Sequence, residues 1–346
     1  MERTKNLNMS EINMNHGAGG RAMRDLIESV FVATFNNPQL NALEDQARLP
    51  LAPLLQMGER LAITTDSYVV DPLFFPGGDI GSLAVNGTIN DLAVGGAKPL
   101  YLTCAMILEE GMSIEELRKV VISMKAAADA AGVTIVTGDT KVVPKGKGDK
   151  VFINTTGVGV IPAGIELTAG RIEVGDKIIV NGYVGDHGVA ILNARGDLAL
   201  DVDVQSDSQP LHGLVASMLA ECSAIRAMRD ATRGGIATVL NEFAQESAKI
   251  FQVLESSIPV RSEVRSVCEI LGLNPLYFAN EGKLIAVVPA KSADSVLQVM
   301  RLHPAGKNAA IIGEVLEGKP RVEIKTALGA SRILDMLVAE QLPRIC

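Results

Sequence analysis

Strand-like and helix-like segments alternate along this 346-residue chain. The β-prone runs that predict strands are 61–65, 133–137, 151–161, 177–180, 284–288 and 310–312. Apolar residues at helical spacing predict helices at 21–32, 211–220, 236–245, 263–271 and 293–300. Interleaving of this kind predicts α/β domains, in which helices cover the faces of sheets. A change of unit between Pro162 and Gly175, in a chain long enough for two substantial cores, predicts two such domains.

The clearest helix signal follows Ser113. Ser113 and Glu116 have the spacing of a capping box, in which the two side chains satisfy free backbone amides reciprocally. The apolar residues that then share one helical face are Leu117, Val120, Val121, Met124 and Ala128. Gly132 is expected to end this helix, and from Ser331 onward the periodic pattern fades into an expected tail.

The composition excludes several classes of protein. With 47% hydrophobic and 21% charged residues the chain is globular and not disordered. A net charge of −8, no dense Lys/Arg tract and 3% aromatic residues argue against a nucleic-acid partner. No apolar segment reaches the roughly 18 residues that a membrane span needs. Four dispersed cysteines without metal-ligand spacing predict a reducing compartment, so we expect a soluble cytoplasmic protein.

Aspartates are concentrated between residues 64 and 99, among glycines and at expected strand ends. Asp66 is expected directly after the strand 61–65, and Asp91 follows farther along the chain. Carboxylates in such positions suit Mg²⁺, a hard cation that takes oxygen ligands and binds phosphates. The alternative is that aspartate simply favours turns. His187 and His212 have no partner at metal-ligand spacing and are interpreted as ordinary loop and helix residues, so no zinc site is expected.

Three further segments combine glycine with charged residues. His16-Gly17-Ala18-Gly19-Gly20 precedes a predicted helix and would offer free amides to an anion, although a flexible turn explains it equally well. Gly138-Asp139-Thr140-Lys141 is expected to form a turn after a strand, where Lys141 is a phosphate clamp, a proton-transfer group or a solvated loop residue. Asp230 to Gly235 offers a second acidic, anion-binding turn before a helix. Glu281 is either a general acid or base, or structural.

The carboxy-terminal residue of the sequence is Cys346. A thiol with chain on only one side can be carried into another site, whereas the simpler interpretation is a frayed end without function. It is not a prenylation signal, because that chemistry needs a cysteine four residues from the end.

These residues together resemble the HypE family of hydrogenase maturation factors, within the superfamily of aminoimidazole ribonucleotide synthetase and selenophosphate synthetase. The motifs that carry the resemblance are His16-Gly-Ala-Gly-Gly, Glu44-Asp45-Gln46-Ala47, Thr65-Asp66-Ser67-Tyr68, Pro72-Leu-Phe-Phe-Pro-Gly-Gly, Asn90-Asp91, Gly138-Asp139-Thr140-Lys141-Val142, Asp230-Ala-Thr-Arg-Gly-Gly, Asn280-Glu281-Gly282 and Pro343-Arg344-Ile345-Cys346. The terminal thiol is the most specific of them, since it separates this family from its relatives.

The resemblance implies an α/β (α+β) fold of two PurM-like domains. The implied units are an extension over 1–12, an ATP-binding domain over 13–165 that dimerises through its sheet, a carboxy-terminal α/β domain over 166–330 and a mobile tail over 331–346. ATP would bind in the cleft near the dimer interface of a homodimer. The extension is expected to be disordered or to alter the docking of partners.

The resemblance also implies a reaction and its residues. The thiol of Cys346 would receive a carbamoyl group from the carbamoyltransferase HypF, and ATP-dependent dehydration would convert it to a thiocyanate. The cyano group would pass to iron on the HypC–HypD complex for a [NiFe] hydrogenase. Lys141 and Glu281 resemble the family's pair for proton removal. The implied Mg²⁺ ligands are Asp45, Asp66, Asp91 and Asp230, and the implied ATP-binding residues are His16, Gly17, Gly19, Gly20, Asn90, Asp139 and Thr140.

Two other functions compete with this one. A selenophosphate synthetase or small-molecule kinase would share the ATP site, but the former carries a reactive residue near the amino terminus, and no cysteine precedes Cys104. A carrier without catalysis would use the tail thiol alone, which leaves the acidic residues and Lys141 unexplained.

Overall fold

The computed structural model describes residues 10–196, 202–326 and 329–337. Two α/β domains are present, as the alternating pattern predicted. None of the helices formed by these residues is long and apolar enough to cross a membrane.

The amino-terminal domain is built on a sheet with strand order β1-β6-β4-β5. Its strands are β1 (Arg60–Tyr68), β2 (Phe74–Phe75), β3 (Gly78–Asp79), β4 (Lys98–Glu109), β5 (Thr134–Val143) and β6 (Val151–Ile161). Its helices are α1 (Arg21–Leu26), α2 (Ala33–Phe35), α3 (Pro38–Asn41), α4 (Leu51–Met57), α5 (Ile80–Val94) and α6 (Ile114–Ala130), with a π-helical turn Ile27–Val32 joining α1 to α2. Strands β2 and β3 form a separate small hairpin. Helices α5 and α6 pack against the four-stranded sheet, and this contact forms the main core of the domain.

The carboxy-terminal domain contains a sheet with strand order β13-β12-β9-β11-β7-β10-β8. Its strands are β7 (Lys177–Val180), β8 (Ala227–Asp230), β9 (Ile250–Leu254), β10 (Leu284–Val288), β11 (Ala310–Leu316), β12 (Arg321–Lys325) and β13 (Ser331–Ile333). Its helices are α7 (Asp186–Arg195), α8 (His212–Glu221), α9 (Gly235–Ser247), α10 (Ser262–Leu271) and α11 (Ala290–Leu302). Alternate residues of β7 and β10 enter two cores, one with α9 and one with α8 and α11, so helices cover both faces of the sheet.

Helix α5 joins the two domains. Ala93 and Val94 near its end pack into the core beneath α8 and α11. Its Asn90 is fully buried, with its side-chain amide donating to the carbonyl oxygens of Gln209 and Glu281 and its Oδ1 accepting from the Leu211 amide. One helix therefore belongs to two cores, which fixes the cleft between the domains.

The strongest local predictions are confirmed. Strands β6 and β10 have the predicted ends, and the five apolar residues predicted for one face of α6 are its buried residues. Ser113 caps α6 by accepting hydrogen bonds from the amides of Glu115 and Glu116, but in the described part of the chain the Glu116 side chain does not return the bond, so only the Ser113 half of the predicted capping box forms. The remaining predicted helices are present with small shifts of their ends.

Several predicted boundaries are wrong because long-range pairing extends the strands. Asp66 lies inside β1 and not after it, since β1 pairs with β6 as far as Tyr68. The predicted turn at 138–141 is part of β5, which runs parallel to β4 through Val143. Gly138 is required by close approach, because an added Cβ would lie 2.1 Å from the carbonyl oxygen of Cys104.

Both predicted ends of the folded region also need correction. Ile12 is buried in the core and exchanges backbone hydrogen bonds with the Gly111–Met112 segment, so residues 10–12 belong to the domain. Ser331–Ile333 pairs with β12 and is not tail. His187, predicted as a loop residue, is buried within α7. Cys346 lies outside the described residues.

Candidate functional site

Three carboxylates from distant segments face one another across the cleft between the domains. Asp66 is on the face of β1 that points toward α5, Asp91 is in the last turn of α5, and Asp230 ends the edge strand β8. Burial, followed by repulsion from Asp91, raises the pKa of Asp230 from 3.8 to about 7. Burial and the charge of Asp66 likewise raise the pKa of Asp91. The three side chains therefore form one electrostatic cluster, which we call the carboxylate cluster.

Two hydrogen bonds orient this cluster. The hydroxyl of Thr64, two residues before Asp66 on the same face of β1, donates to Oδ2 of Asp91 at 2.9 Å. Nη2 of Arg233 donates to Oδ1 of Asp66 at 2.7 Å, from the loop between β8 and α9. Arg233 is thus a cation from the second domain placed on a carboxylate of the first.

The donor chemistry of the carboxylate cluster fits Mg²⁺. It supplies hard carboxylate oxygens, and a cation would relieve the repulsion that raises the pKa of Asp230. In the described ranges, no group of three acidic, His or Cys side chains is yet close enough to hold an ion. Asp45, the fourth predicted ligand, lies exposed between α3 and α4 and is not among the groups that perturb the pKa values of Asp91 and Asp230.

Glu281 lies beside the same cluster. It is 3% exposed; its backbone amide donates a hydrogen bond to Oδ1 of Asp207, and its carbonyl oxygen accepts one from the side-chain amide of Asn90. The pKa of the Tyr68 hydroxyl is well above 10.0 because of burial, with further contributions from the charges of Asp66, Glu281 and Asp91. Glu281, Asp66 and Asp91 therefore all lie close enough to Tyr68 to act on its hydroxyl, although Glu281 is not among the groups that shift the pKa values of Asp91 and Asp230.

The other predicted site residues gather along β5. Asp139 and Lys141 are exposed on this strand and Thr140 is buried between them. The glycine-rich segment packs beside them, because the 3-10 turn Met14–Gly17 contacts β5. A small apolar cavity of about 100 Å³ lies between β5 and the first helices, lined by Met23, Ile27, Phe31, Phe35, Leu40 and Gly138–Thr140 among others. We call Asp139, Thr140 and Lys141 the β5 cluster.

Within one chain, the β5 cluster and the carboxylate cluster are separate. Strands β1 and β5 are the two edges of the four-stranded sheet, with β6 and β4 between them. Three strand spacings correspond to roughly 14 Å across the sheet. The residues that the sequence assigned to a single site thus fall into two groups.

Two of the predicted ATP-binding residues use their side chains in hydrogen bonds within the fold. His16 is buried, its Nδ1 accepts from the Asn13 amide at 3.0 Å, and burial lowers its pKa. Asn90 uses its side chain to join the domains. His16 therefore orients the backbone at Asn13, and Asn90 orients the backbone at Glu281 and Leu211.

Thr64, Arg233, Asp207 and Lys283 were not predicted individually as site residues. Arg233 lies in the motif Asp230-Ala-Thr-Arg-Gly-Gly, in which Asp230 was the available signal. Lys283 precedes the wholly apolar strand β10, a position where a lysine needs a buried partner. That partner is Asp207, at 2.9 Å.

Comparisons with known proteins agree with this arrangement. The AIR synthase related protein family matches with its N-terminal domain over residues 44–161 and its C-terminal domain over residues 173–325. A protein named carbamoyl dehydratase HypE from Azotobacter vinelandii is 54% identical over 341 residues, which are 98% of each chain.

Two solved structures extend the comparison. A crystal structure of hydrogenase maturation protein HypE in complex with ATP matches with a TM-score of 0.91 at 50% identity, over 96% of this chain and 99% of that chain. A chain of a HypE–HypF complex matches with a TM-score of 0.78 at 46% identity, over 90% of this chain and 99% of that chain. These matches confirm the expected two-domain fold.

Proposed function

The chain belongs to the HypE family of carbamoyl dehydratases, and from this premise we propose how its residues carry out the reaction. It is an ATP-dependent enzyme of hydrogenase maturation. Its substrate in our proposal is a thiocarbamate on its own Cys346, and its product is the thiocyanate on the same sulfur. We place this reaction in the cytoplasm, where a tail thiol stays reduced.

The partners follow from the same premise. HypF is the proposed carbamoyl donor, supported by the HypE–HypF complex of the relative. The HypC–HypD complex is the proposed acceptor that takes the cyano group for the iron of a [NiFe] hydrogenase. Tethering the reacting group to the tail keeps it at high effective concentration when it meets HypF, its own ATP site and the HypC–HypD complex.

The dehydration needs ATP because the carbamoyl oxygen is a poor leaving group. The oxygen attacks the γ-phosphorus, the bond from that phosphorus to the β,γ-bridging oxygen breaks, and ADP leaves with the electron pair. Loss of two protons from the nitrogen then expels phosphate and leaves the C≡N bond. Phosphoryl transfer of this kind depends on positioning and charge neutralisation more than on covalent help.

The carboxylate cluster would hold Mg²⁺ through Asp66, Asp91 and Asp230, with Asp45 as a further proposed ligand. When bound, the ion would neutralise charge on the transferring phosphoryl group. Glu281, buried beside the cluster, is proposed to accept a proton from the nitrogen, and Lys141 is its proposed partner in that step. The β5 cluster, with the glycine-rich segment, is proposed to bind the nucleotide.

A homodimer would bring the two clusters together. Leu61 and Ile63 lie on the outer face of β1 and are 55% and 69% exposed, and Leu51 and Leu55 of α4 are exposed as well. Apolar side chains on an open sheet face favour association with a second copy. In a two-fold dimer formed through this sheet, β5 of one copy would complete the carboxylate cluster of the other.

The observation that carries the proposal is the convergence of Asp66, Asp91 and Asp230, which are far apart in sequence, beside Glu281. The chemistry of the tail is tested by intact-protein mass spectrometry after incubation with HypF, carbamoyl phosphate and ATP, followed by peptide mapping. We expect a carbamoyl adduct on Cys346 that loses the mass of water only when ATP is present. Cys346→Ala should bind ATP normally and gain no adduct. An unmodified Cys346, with HypF active on a control, would refute the proposal.

A further inference from the structure

Arg233 joins the two domains at the carboxylate cluster. Its guanidinium bonds to Asp66 at 2.7 Å, and its charge acts on Asp91 in the direction that lowers the pKa of that carboxyl. The arginine side chain is 78% exposed, whereas that of Asp66 is 28% exposed. A solvent-exposed cation therefore occupies an oxygen that the proposed function gives to the metal.

The neighbouring Arg229 has other ion-pair partners. Arg229 on β8 forms ion pairs with Glu242 and Glu246 of α9 and lies over the ring of Phe243. Within the described part of the chain, Asp66 is the one ion-pair partner of Arg233. An exposed ion pair of this kind is worth little free energy, so Arg233 exchanges partners easily.

The loop that carries Arg233 packs closely against residues 276–278. Gly235 has a φ of +61°, and a Cβ added there would lie 2.5 Å from the carbonyl oxygens of Leu276 and Phe278. This close approach requires glycine at the position. From this packed loop the long side chain of Arg233 reaches across the cleft to Asp66.

We propose that Arg233 is an exchangeable cation, which neutralises Asp66 in the nucleotide-free protein and moves onto the phosphate oxygens when metal and nucleotide bind. This inference rests on the proposed function of the cleft. A divalent ion competes with the guanidinium for Oδ1 of Asp66. The released guanidinium then faces the triphosphate, whose oxygens match its planar, bidentate donor geometry.

Arg233 is in this proposal a catalytic residue, because it contacts the group that is transferred. In the transition state the negative charge of the transferring phosphoryl group is spread over its oxygens. A guanidinium held beside these oxygens stabilises that state. The same residue weakens metal binding until nucleotide provides it with another partner. It thereby couples occupation of the metal site to arrival of ATP.

The first test uses Mn²⁺ as an EPR-visible probe with the full-length protein in the absence of nucleotide. Arg233→Gln should bind Mn²⁺ about two- to fivefold more tightly than wild type, because a competing exposed ion pair has been removed. Arg332→Gln is the matched control, since Arg332 forms an exposed ion pair with Glu255 on the far side of the second domain. Unchanged or weaker Mn²⁺ binding by Arg233→Gln would overturn the proposal.

The second test follows loss of water from the carbamoylated tail in a single turnover. Arg233→Gln should be slower by about 10²-fold, and Arg233→Lys should recover part of that loss because it restores charge without the planar fork. A normal rate for Arg233→Gln would show that Arg233 only shields Asp66, and it would refute the proposed move of Arg233 onto the phosphate oxygens. If wild type itself forms no dehydrated tail, the proposed function fails, while the Mn²⁺ measurement still decides the resting role of Arg233.

Discussion

The ammonium group of Lys283 and the carboxylate of Asp207 form an ion pair of 2.9 Å with both side chains almost completely buried. Asp207 also accepts hydrogen bonds from the backbone amides of Glu281 and Gly282. A single carboxylate therefore fixes the backbone that carries the proposed proton acceptor. Burial alone would raise the pKa of Asp207, but Lys283, His187 and these hydrogen bonds together hold it below 3.8.

Asp207→Asn is expected to destabilise the protein by about 3–5 kcal/mol, because it leaves the buried ammonium of Lys283 without its counterion. Asp207→Asn combined with Lys283→Met should recover much of this loss. Since the pKa of Asp207 is lowered on folding, the wild-type contribution is complete above about pH 3.8 and is lost as pH falls through the folded value. Urea denaturation at pH 7.5 measures both variants; a double variant no more stable than Asp207→Asn would contradict the account.

Asp230→Asn is expected to stabilise the metal-free protein, most strongly at alkaline pH. The folded pKa of about 7 is above the ordinary 3.8, so ionising Asp230 costs stability progressively between these values and fully above them. The advantage of the variant should be larger at pH 8 than at pH 5 by roughly 2–3 kcal/mol. Urea denaturation in EDTA measures it. The control is Asp294→Asn, which makes the same substitution at an exposed position of α11.

Asp91→Asn is expected to weaken binding of a magnesium complex of a non-hydrolysable ATP analogue by about 10- to 100-fold, because a proposed ligand of the metal is lost. The fold should be retained, since asparagine still accepts the hydrogen bond from Thr64. Calorimetry with and without Mg²⁺ separates the two contributions to affinity. An unchanged affinity in the presence of Mg²⁺ would remove Asp91 from the metal site.

Glu281→Gln is expected to stop the reaction with the carbamoyl group still attached to the tail. Glutamine has the same size and leaves the backbone bonds to Asp207 and Asn90 in place, so the loop should keep its position. The rate should fall by about 10²- to 10⁴-fold, the range for a general base. Mass spectrometry of the tail measures it; thiocyanate forming at the normal rate would make Glu281 a structural residue.

Lys141→Ala and Asp91→Asn are each expected to inactivate the protein, but a mixture of the two should recover activity. If the β5 cluster of one copy completes the carboxylate cluster of the other, a mixed dimer contains one intact site. Random exchange of subunits should restore about a quarter of the wild-type rate.

Two controls define that complementation experiment. Leu61→Lys combined with Ile63→Lys, which places charge on the exposed face of β1, should prevent the recovery by blocking association. A mixture that stays inactive although mixed dimers are shown by native mass spectrometry would place both residues in the site of one chain.

Local sequence patterns were sufficient for much of the fold. The ends of β6 and β10, the cap at Ser113 and the buried face of α6 were predicted from spacing alone. These features depend on residues a few positions apart, since helix caps and side-chain periodicity act over one or two turns or pleats. The resemblance of the motifs likewise predicted the family that the comparisons establish.

Which residues meet was decided by the tertiary structure. Gly138 resembled the start of a turn, yet pairing with β4 continues the strand through it. The site residues, which the sequence assigned to one place, are divided between the edge strand β5 and the cleft beside the opposite edge strand β1. Arg233 reaches Asp66 from 167 positions away, and Asp207 meets Lys283 inside the second domain. Such contacts depend on strand order and on burial, whose free energy comes from the packing of distant segments and is not contained in any local pattern.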